Sequence, residues 1–306
     1  MNLFVEKLKE AVERSAGEGV LLSGGIDSSA IAYLAGVKSF TVCLESYGKD
    51  KGYAEIVARY MGIPLYCASI SIEEAIEAIP DVIRILKTFD PAIPNDIAAY
   101  FALRQAREQE CRAVMTGDGS DELFAGYGYM FDLNLREYIS SIINDLYFSS
   151  NALGKALGIE VKQPFLDKEF IGFALSIEPE EKVREENGKK WGKWILRRSF
   201  EDLLPEGIVW REKSPLEEGS GMSVLRNVLE HRISWAEFRK KEKEYGIRFR
   251  NREHLYYYEV YRRVVGEIPK PENDQIACMY CGAGISLRSE HCRVCGGMQH
   301  NDSYRA

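Results

Sequence analysis

No stretch of about 18 apolar residues occurs in the chain, which argues against a transmembrane helix. The opening stretch, MNLFVEKLKEAVERSAGEG, lacks the apolar core and cleavage site of a signal peptide and is instead charged and helix-periodic. Positive charge is not in excess. Forty Lys and Arg against 47 Asp and Glu leave a net charge of −7, which weakens any case for a general nucleic-acid or anionic-membrane binder. There is no internal repeat, and the cysteines do not form a disulfide framework. Cys43, Cys67 and Cys111 are scattered, while the other four of the seven cluster near the end of the sequence, as metal ligands do. These absences predict a soluble, cytoplasmic protein without a membrane partner. With 306 residues and 45% apolar composition, the chain can bury the core of one large α/β domain with an appendage, or of two domains.

The segment LLSGGIDSSA, residues 21–30, has the glycines of a phosphate-binding loop but not its lysine. Apolar GVLL before it suits a buried strand, and AIAYLAG after it suits a helix. A strand–turn–helix unit of this kind aims backbone N–H groups and the helix dipole at an anion in the turn. Ser23, Ser28 and Ser29 add hydroxyl donors, and Gly24 and Gly25 allow close backbone approach. Asp27 would repel a phosphate unless a Mg²⁺ ion stood between them, taking oxygen ligands from both. An ordinary aspartate near a helix start is the plainer alternative.

Further along, SFTVCL (39–44), PLYCASI (64–70) and AVMTG (113–117) read as strands, separated by the helical YAEIVARYMG and IAAYFALRQAREQE. Strands alternating with helices predict a parallel sheet covered on both faces, with ligands at the carboxyl ends of its strands. From about residue 130 the pattern turns mostly helical, including WGKWILRRSFEDLLP (191–205) and EHLYYYEVYRRVVG (253–266). The tyrosine cluster in the latter is read as core rather than as a base-stacking platform. GEIPKPENDQ (266–275), polar and with two prolines, reads as a linker.

A second acidic loop, TGDGSDELFAGY, follows AVM and supplies another carboxylate for a bridging metal. Together with LLSGGIDSS, SFTVCL, GIEVKQPFLD, GKWILRRSF, LPEGIVWREKSPLEEGSG and EHLYYYEVYRR, it makes residues 1–266 resemble the synthetase domain of the asparagine synthetases. These are ATP pyrophosphatases with an SGGxDS loop and an adenine-nucleotide α-hydrolase-like, Rossmann-like fold.

The resemblance implies a C–N bond-forming, AMP-forming ligase of asparagine biosynthesis. A carboxylate, aspartate by family habit, attacks the α-phosphate of ATP, and ammonia then displaces AMP from the acyl-adenylate. Carried over by position, Leu22, Val42, Thr116 and Gly117 frame the adenosine end. Ser23, Gly24, Gly25, Asp27, Ser28 and Ser29 hold pyrophosphate, and Asp27 and Asp121 hold Mg²⁺. Asp118 matches the acidic residue of adenylate formation and ammonia attack, although some members carry Glu there. Lys193 matches a lysine that stabilises negative charge on the reacting phosphate and carbonyl. Arg211 and Lys213 are expected to add positive charge.

Two features depart from the family. Glutamine-dependent members begin with a glutaminase domain, whereas this sequence reaches its ATP loop within about twenty residues. The expected nitrogen source is therefore free ammonia or a separate glutaminase subunit, unless ammonia is not the nucleophile. The acceptor carboxylate stays open as well. A β-lactam-forming synthetase on this scaffold uses a Tyr–Glu pair that no motif here locates.

The second departure is CMYCGAGISLRSEHCRVCGG (278–297). Its paired CxxC units, Cys278 and Cys281 with Cys292 and Cys295, predict a Cys₄ zinc ribbon over 276–299, before a tail at 300–306. The alternative is a redox or iron–sulfur site. Four thiolates leave no open position, so the zinc is expected to be structural and the ribbon to dock against the first domain or a partner. His291 and His300 are expected at the surface, with displacement of a cysteine ligand as the alternative for His291.

A rival reading is tRNA sulfur transfer, since some SGGxDS enzymes that thiolate tRNA carry zinc ribbons. Cys43 or Cys67 would then be a thiol carrier rather than a small core residue. A catalytically silent nucleotide-binding regulator is the third reading, and the joint presence of Asp27, Asp118, Asp121 and Lys193 argues against it.

Overall fold

Five parallel strands form the central sheet of the computed structural model, which describes residues 2–45, 47–287 and 289–299. They are β1 (Gly19–Leu21), β2 (Lys38–Leu44), β3 (Leu65–Ile70), β4 (Ala113–Met115) and β5 (Glu160–Lys162), in spatial order β3-β2-β1-β4-β5. The chain runs outward from β1 to β3, then returns to place β4 on the other side of β1. The crevice at that reversal, outside the strand ends, is where open α/β sheets bind ligands. It receives the loops that follow β1 and β4.

Helices cover both faces. On one side lie α1 (Leu3–Arg14), α2 (Ile26–Ala35) and α3 (Asp50–Met61). Their buried stripes, among them Phe4, Leu8, Ile31 and Val57, close over Val20, Leu22 and Met115. On the other side α4 (Ile72–Leu86) and α5 (Ile93–Glu108) pack on Phe40, Val42 and Leu44. The α4 start is a capping box in which Ser71 and Glu74 satisfy each other's backbone N–H groups. The expected mixed α/β fold with a parallel sheet is thus present. Strand β5 was not foreseen; it is three residues long with one apolar side chain.

The second half is mostly helical, with one correction to the reading of 191–205 as helical. Val183–Glu186 and Lys189–Gly192 pair as an antiparallel hairpin, and the following helix is confined to Trp194–Phe200. Asn187 and Gly188 both have positive φ, 53° and 76°, as the tight turn of a hairpin requires. The Asn-Gly pair was therefore a legible signal.

Tyr257 and Tyr261 are almost completely buried and Tyr258 nearly so, so the tyrosine cluster is core. Its neighbours in one continuous apolar cluster include Phe89 and, from the ribbon, Cys278, Ala283, Ile285, Cys292 and Cys295. The ribbon itself has a small hairpin, Gln275–Ala277 with Gly284–Ser286. His291 is exposed, and His300 and the tail lie outside the described residues. Among the described residues no helix is long and apolar enough to cross a membrane.

Candidate functional site

The loop after β1 turns through Gly24, at φ 70°, and enters α2 at Gly25 without a side-chain cap. The first N–H groups of α2 are thereby left for a ligand. Around them the serine hydroxyls bond only loosely to one another. Ser23 Oγ lies 3.3 Å from Ser28 Oγ, and Gly25 N–H donates to Ser23 Oγ at 3.3 Å. An arriving anion can replace such contacts at little cost.

The loop after β4 packs directly on this turn and brings the second carboxylate. Lys193 joins the two. Its ammonium lies 2.5 Å from Asp27 Oδ2 and 2.7 Å from Asp121 Oδ1, and the residue is only 3% exposed. Ser120 Oγ donates to Asp27 Oδ1 at 2.5 Å, and Lys213 Nζ stands 2.5 Å from Asp121 Oδ2. Burial pushes the Asp121 carboxyl up, but Lys193 and Lys213 together outweigh it and hold it at about 2. Burial likewise opposes the Lys193 charge, and the two carboxylates raise its pKa above the usual value.

Backbone, not side chains, makes room for this triad. A Cβ on Gly126 would sit 1.8 Å from Asp121 Oδ1 and 2.5 Å from Lys193 Cε. One on Gly192 would sit 1.9 Å from the Ala125 carbonyl oxygen. Only glycine permits that approach.

Asp118 is fixed differently. Its Oδ2 accepts hydrogen bonds from Thr116 Oγ1 (2.8 Å), Ser150 Oγ (2.7 Å) and Gln163 Nε2 (3.1 Å). Arg211 braces the β1 loop by donating to the Ser23 carbonyl at 3.0 Å. It also pairs with buried Asp50 at 2.5 Å and lies 3.9 Å over the Tyr53 ring. Arg197, itself buried, donates to the carbonyls of Gly192, Val209 and Arg211 and so holds that segment in place. Tyr127 donates to Glu122 at 3.3 Å, forming a Tyr–Glu contact within the second loop.

These groups surround one cavity of about 880 Å³, ample for a nucleotide with a small second substrate. Its wall includes the apolar Leu22, Val42, Ala98 and Ala102 and the charged Asp27, Asp118, Asp121, Lys193, Arg211 and Lys213. Ser23, Gly25, Ser28, Thr116 and Gly117 also line it. Two of the expected residues stand off its surface. Gly24 packs against Tyr53, and Ser29 is fully buried with an Oγ that has no hydrogen-bond partner.

Sequence reasoning missed Ser120, Ser150, Gln163, Asp50 and Arg197. Ser120 and Gln163 lie inside motifs already singled out, whereas nothing around Ser150 marks it. Among the described residues no cysteine lines the cavity. Cys43 is buried and Cys67 half-buried, with their sulfurs 3.7 Å apart.

The donor sets fit their expected ions. Asp121 Oδ1 is buried and accepts no well-aligned hydrogen bond, and it shares one cation with Asp27, as oxygen ligands of Mg²⁺ would. In the ribbon, Cys278 and Cys295 have sulfurs 3.7 Å apart, and Cys281 and Cys292 3.8 Å. A tetrahedron with zinc–sulfur bonds of about 2.3 Å has edges of about 3.8 Å.

A further buried carboxylate lies next to the cavity-lining Asn95 in sequence. Asp96, on α5, is 7% exposed. Burial lifts its carboxyl to about 7 from 3.8, against a hydrogen bond from Ser149, and nearby Asp90 adds to the rise. An acid whose folded pKa is raised favours the folded state at low pH. Its contribution is complete below about 3.8 and is lost as pH rises through about 7. Asp96→Asn is therefore expected to stabilise the protein by roughly a few kcal/mol at pH 8 and little at pH 4. Denaturant midpoints at the two pH values check this, and an equal gain at both would refute it.

Comparisons with known proteins agree with the geometry. The asparagine synthase family model matches residues 3–143 and 138–268. Glutamine-hydrolyzing asparagine synthetase 1 of Arabidopsis thaliana is 34% identical over 241 residues, 70% of this chain and 41% of the relative. Glutamine-hydrolyzing asparagine synthetase 2 of Lotus japonicus is 31% identical over 303 residues, 89% of this chain and 51% of the relative. The chain thus spans about half the length of these curated relatives or less. Among solved structures, the U34-tRNA thiolase NcsA of Methanococcus maripaludis aligns over 95% of this chain and 86% of its own. That alignment has 15% identity and a TM-score of 0.34, too loose a likeness to carry weight. On the family match and the curated relatives, the chain belongs to the asparagine synthase family.

Proposed function

We propose that this chain is an ATP-dependent, AMP- and pyrophosphate-forming amide ligase that adenylates a carboxylate, aspartate first among candidates, and passes it to ammonia. The observation that carries this reading is the convergence of Asp27 and Asp121 on Lys193, beside the uncapped start of α2. Ser23, Ser28 and the α2 N–H groups grip the departing pyrophosphate. Asp27 and Asp121 would hold Mg²⁺, which when bound supplies charge neutralisation for the phosphates.

In the first step an acceptor carboxylate oxygen bonds to the α-phosphorus as the bond to pyrophosphate breaks. Lys193 and Lys213 stabilise the negative charge that develops there. In the second step ammonia attacks the acyl carbonyl, loses a proton and displaces AMP, and Asp118 stands by the reacting centre. The chain's contribution is mainly positioning and fixed charge.

Support against the sulfur-transfer reading comes from the thiols: neither Cys43 nor Cys67 is among the residues lining the cavity. The ribbon cysteines would hold one structural zinc.

The test is a panel of carboxylic acids and tRNA in ATP–pyrophosphate exchange, followed by product analysis. Aspartate or another small carboxylate is expected to stimulate exchange, and ammonium salts to yield AMP and an amide. Formation of ADP and phosphate would sink the proposal. Exchange stimulated by tRNA alone would move it to the thiolation class.

A further inference from the structure

Two cavity residues sit on, or just after, an irregular segment between the helices Leu135–Ile142 and Ser149–Leu157. Phe148 lines the cavity wall, and Ser150 donates to Asp118 at 2.7 Å. Residues 146–148 belong to no helix or strand. A stretch without its own ladder of hydrogen bonds is held in place by what packs on it.

The ribbon reaches this stretch through one side chain. Arg293, next to Cys292, donates Nη2 to the Asp145 carbonyl at 3.2 Å, and its guanidinium lies 4.6 Å over the Tyr147 ring. The ribbon is itself anchored to the sheet domain at the corner before α5. There the Val294 carbonyl accepts from Phe89 N–H at 2.8 Å and Thr88 Oγ1 at 3.1 Å, and His291 stands 3.2 Å from Asp90.

We propose that the ribbon is a positioning element for the cavity: Arg293 holds the 143–148 segment, which sets Phe148 against the cavity and Ser150 against Asp118. This rests on reading the cavity as the adenylation site. Arg293 touches no reacting group; it acts through Ser150 and Phe148. Because the contact at stake is that of Ser150 with Asp118, which the adenylation reading sets by the reacting centre, loosening the segment should slow turnover without weakening the hold on the nucleotide base.

The test uses the full chain as purified, with Arg293→Ala, Arg293→Lys and, as control, Leu287→Ala on an exposed ribbon position. Hydrogen exchange is followed in residues 143–151, and pyrophosphate exchange is measured with saturating acceptor. Arg293→Ala is expected to speed amide exchange in 143–151 but not in the helix bearing Tyr261. It should also lower kcat about two- to fivefold, the worth of an exposed cation–π contact, with KM for ATP unchanged. Lysine should restore part of both effects, since it keeps the charge but not the planar stack. The control should behave as the parent. Unchanged amide exchange in 143–151 would overturn the proposal. That measurement needs no substrate, so failure of the adenylation reading and failure of this one are told apart.

Discussion

Replacing Lys193 with alanine is expected to reduce pyrophosphate exchange by roughly 10²–10³-fold, the usual loss when a preorganised charge at a reacting centre is removed. It is also expected to destabilise the fold. The ammonium is 3% exposed and bridges two carboxylates that are themselves largely buried. Removing one member of such a group leaves uncompensated charge and costs about 3–5 kcal/mol. The two effects separate by experiment. Mg²⁺ should recover part of the lost melting temperature, because a divalent cation can replace the ammonium between Asp27 and Asp121, but it should not recover the exchange rate. Asp121→Asn should fail in the complementary way, losing metal dependence along with activity. A Lys193→Ala protein with parental exchange activity would refute both the role and the site. The pH dependence has a definite sign. Asp121, held at about 2, contributes stability at neutral pH that is lost only as pH falls through that value. Lys193, raised above 10.5, loses its contribution only as pH rises beyond the ordinary lysine range. The pair should therefore be insensitive to pH between 5 and 9.

If the ribbon holds zinc as proposed, removing that metal should have the larger structural effect. Metal analysis is expected to give about one zinc per chain, as for a closed four-thiolate site. A strong chelator, or Cys278→Ser with Cys292→Ser, is expected to lower the stability of the whole protein and not only of the ribbon. Cys278, Cys292 and Cys295 lie in the same apolar cluster as Phe89, Tyr258 and Tyr261. In small domains such a site contributes on the order of 10 kcal/mol, comparable with the full stability of an ordinary domain. Thermal unfolding with and without chelator checks this. An unchanged transition for the sheet domain would show that the shared core is energetically idle, and iron with labile sulfide in place of zinc would overturn the metal assignment.

The parts of this architecture that could be read from sequence are those in which local chemistry and tertiary role coincide. Strand β2 is buried along nearly its whole length because both its faces are covered, and the β-branched, aromatic and small residues of SFTVCL suit such a strand. The SGGIDSS loop is legible because its glycines and hydroxyls stand together between a strand and a helix, and Ser23, Gly25, Asp27 and Ser28 do line the cavity. Strand β5 was hidden, since a three-residue edge strand with exposed Glu160 is specified by its neighbour β4 and not by its own pattern. The hairpin before Lys193 was masked by the apolar and basic run of the helix after it, despite its Asn-Gly turn. Ser150 had no local mark at all. Its importance comes from a contact with Asp118 across 32 positions of sequence, and single-sequence periodicity contains no such information.

The shared core also bears on how the protein is made. Residues 278–295 leave the ribosome after everything else in that cluster, so the sheet domain emerges with the side of Phe89, Tyr258 and Tyr261 uncovered. On the zinc reading, this newborn surface would stay aromatic and open to chaperones or to other copies of itself until the four thiols had captured the metal. Yield in a cell would then track the supply of metal during translation, and a culture starved of zinc should accumulate insoluble chain rather than soluble, inactive protein.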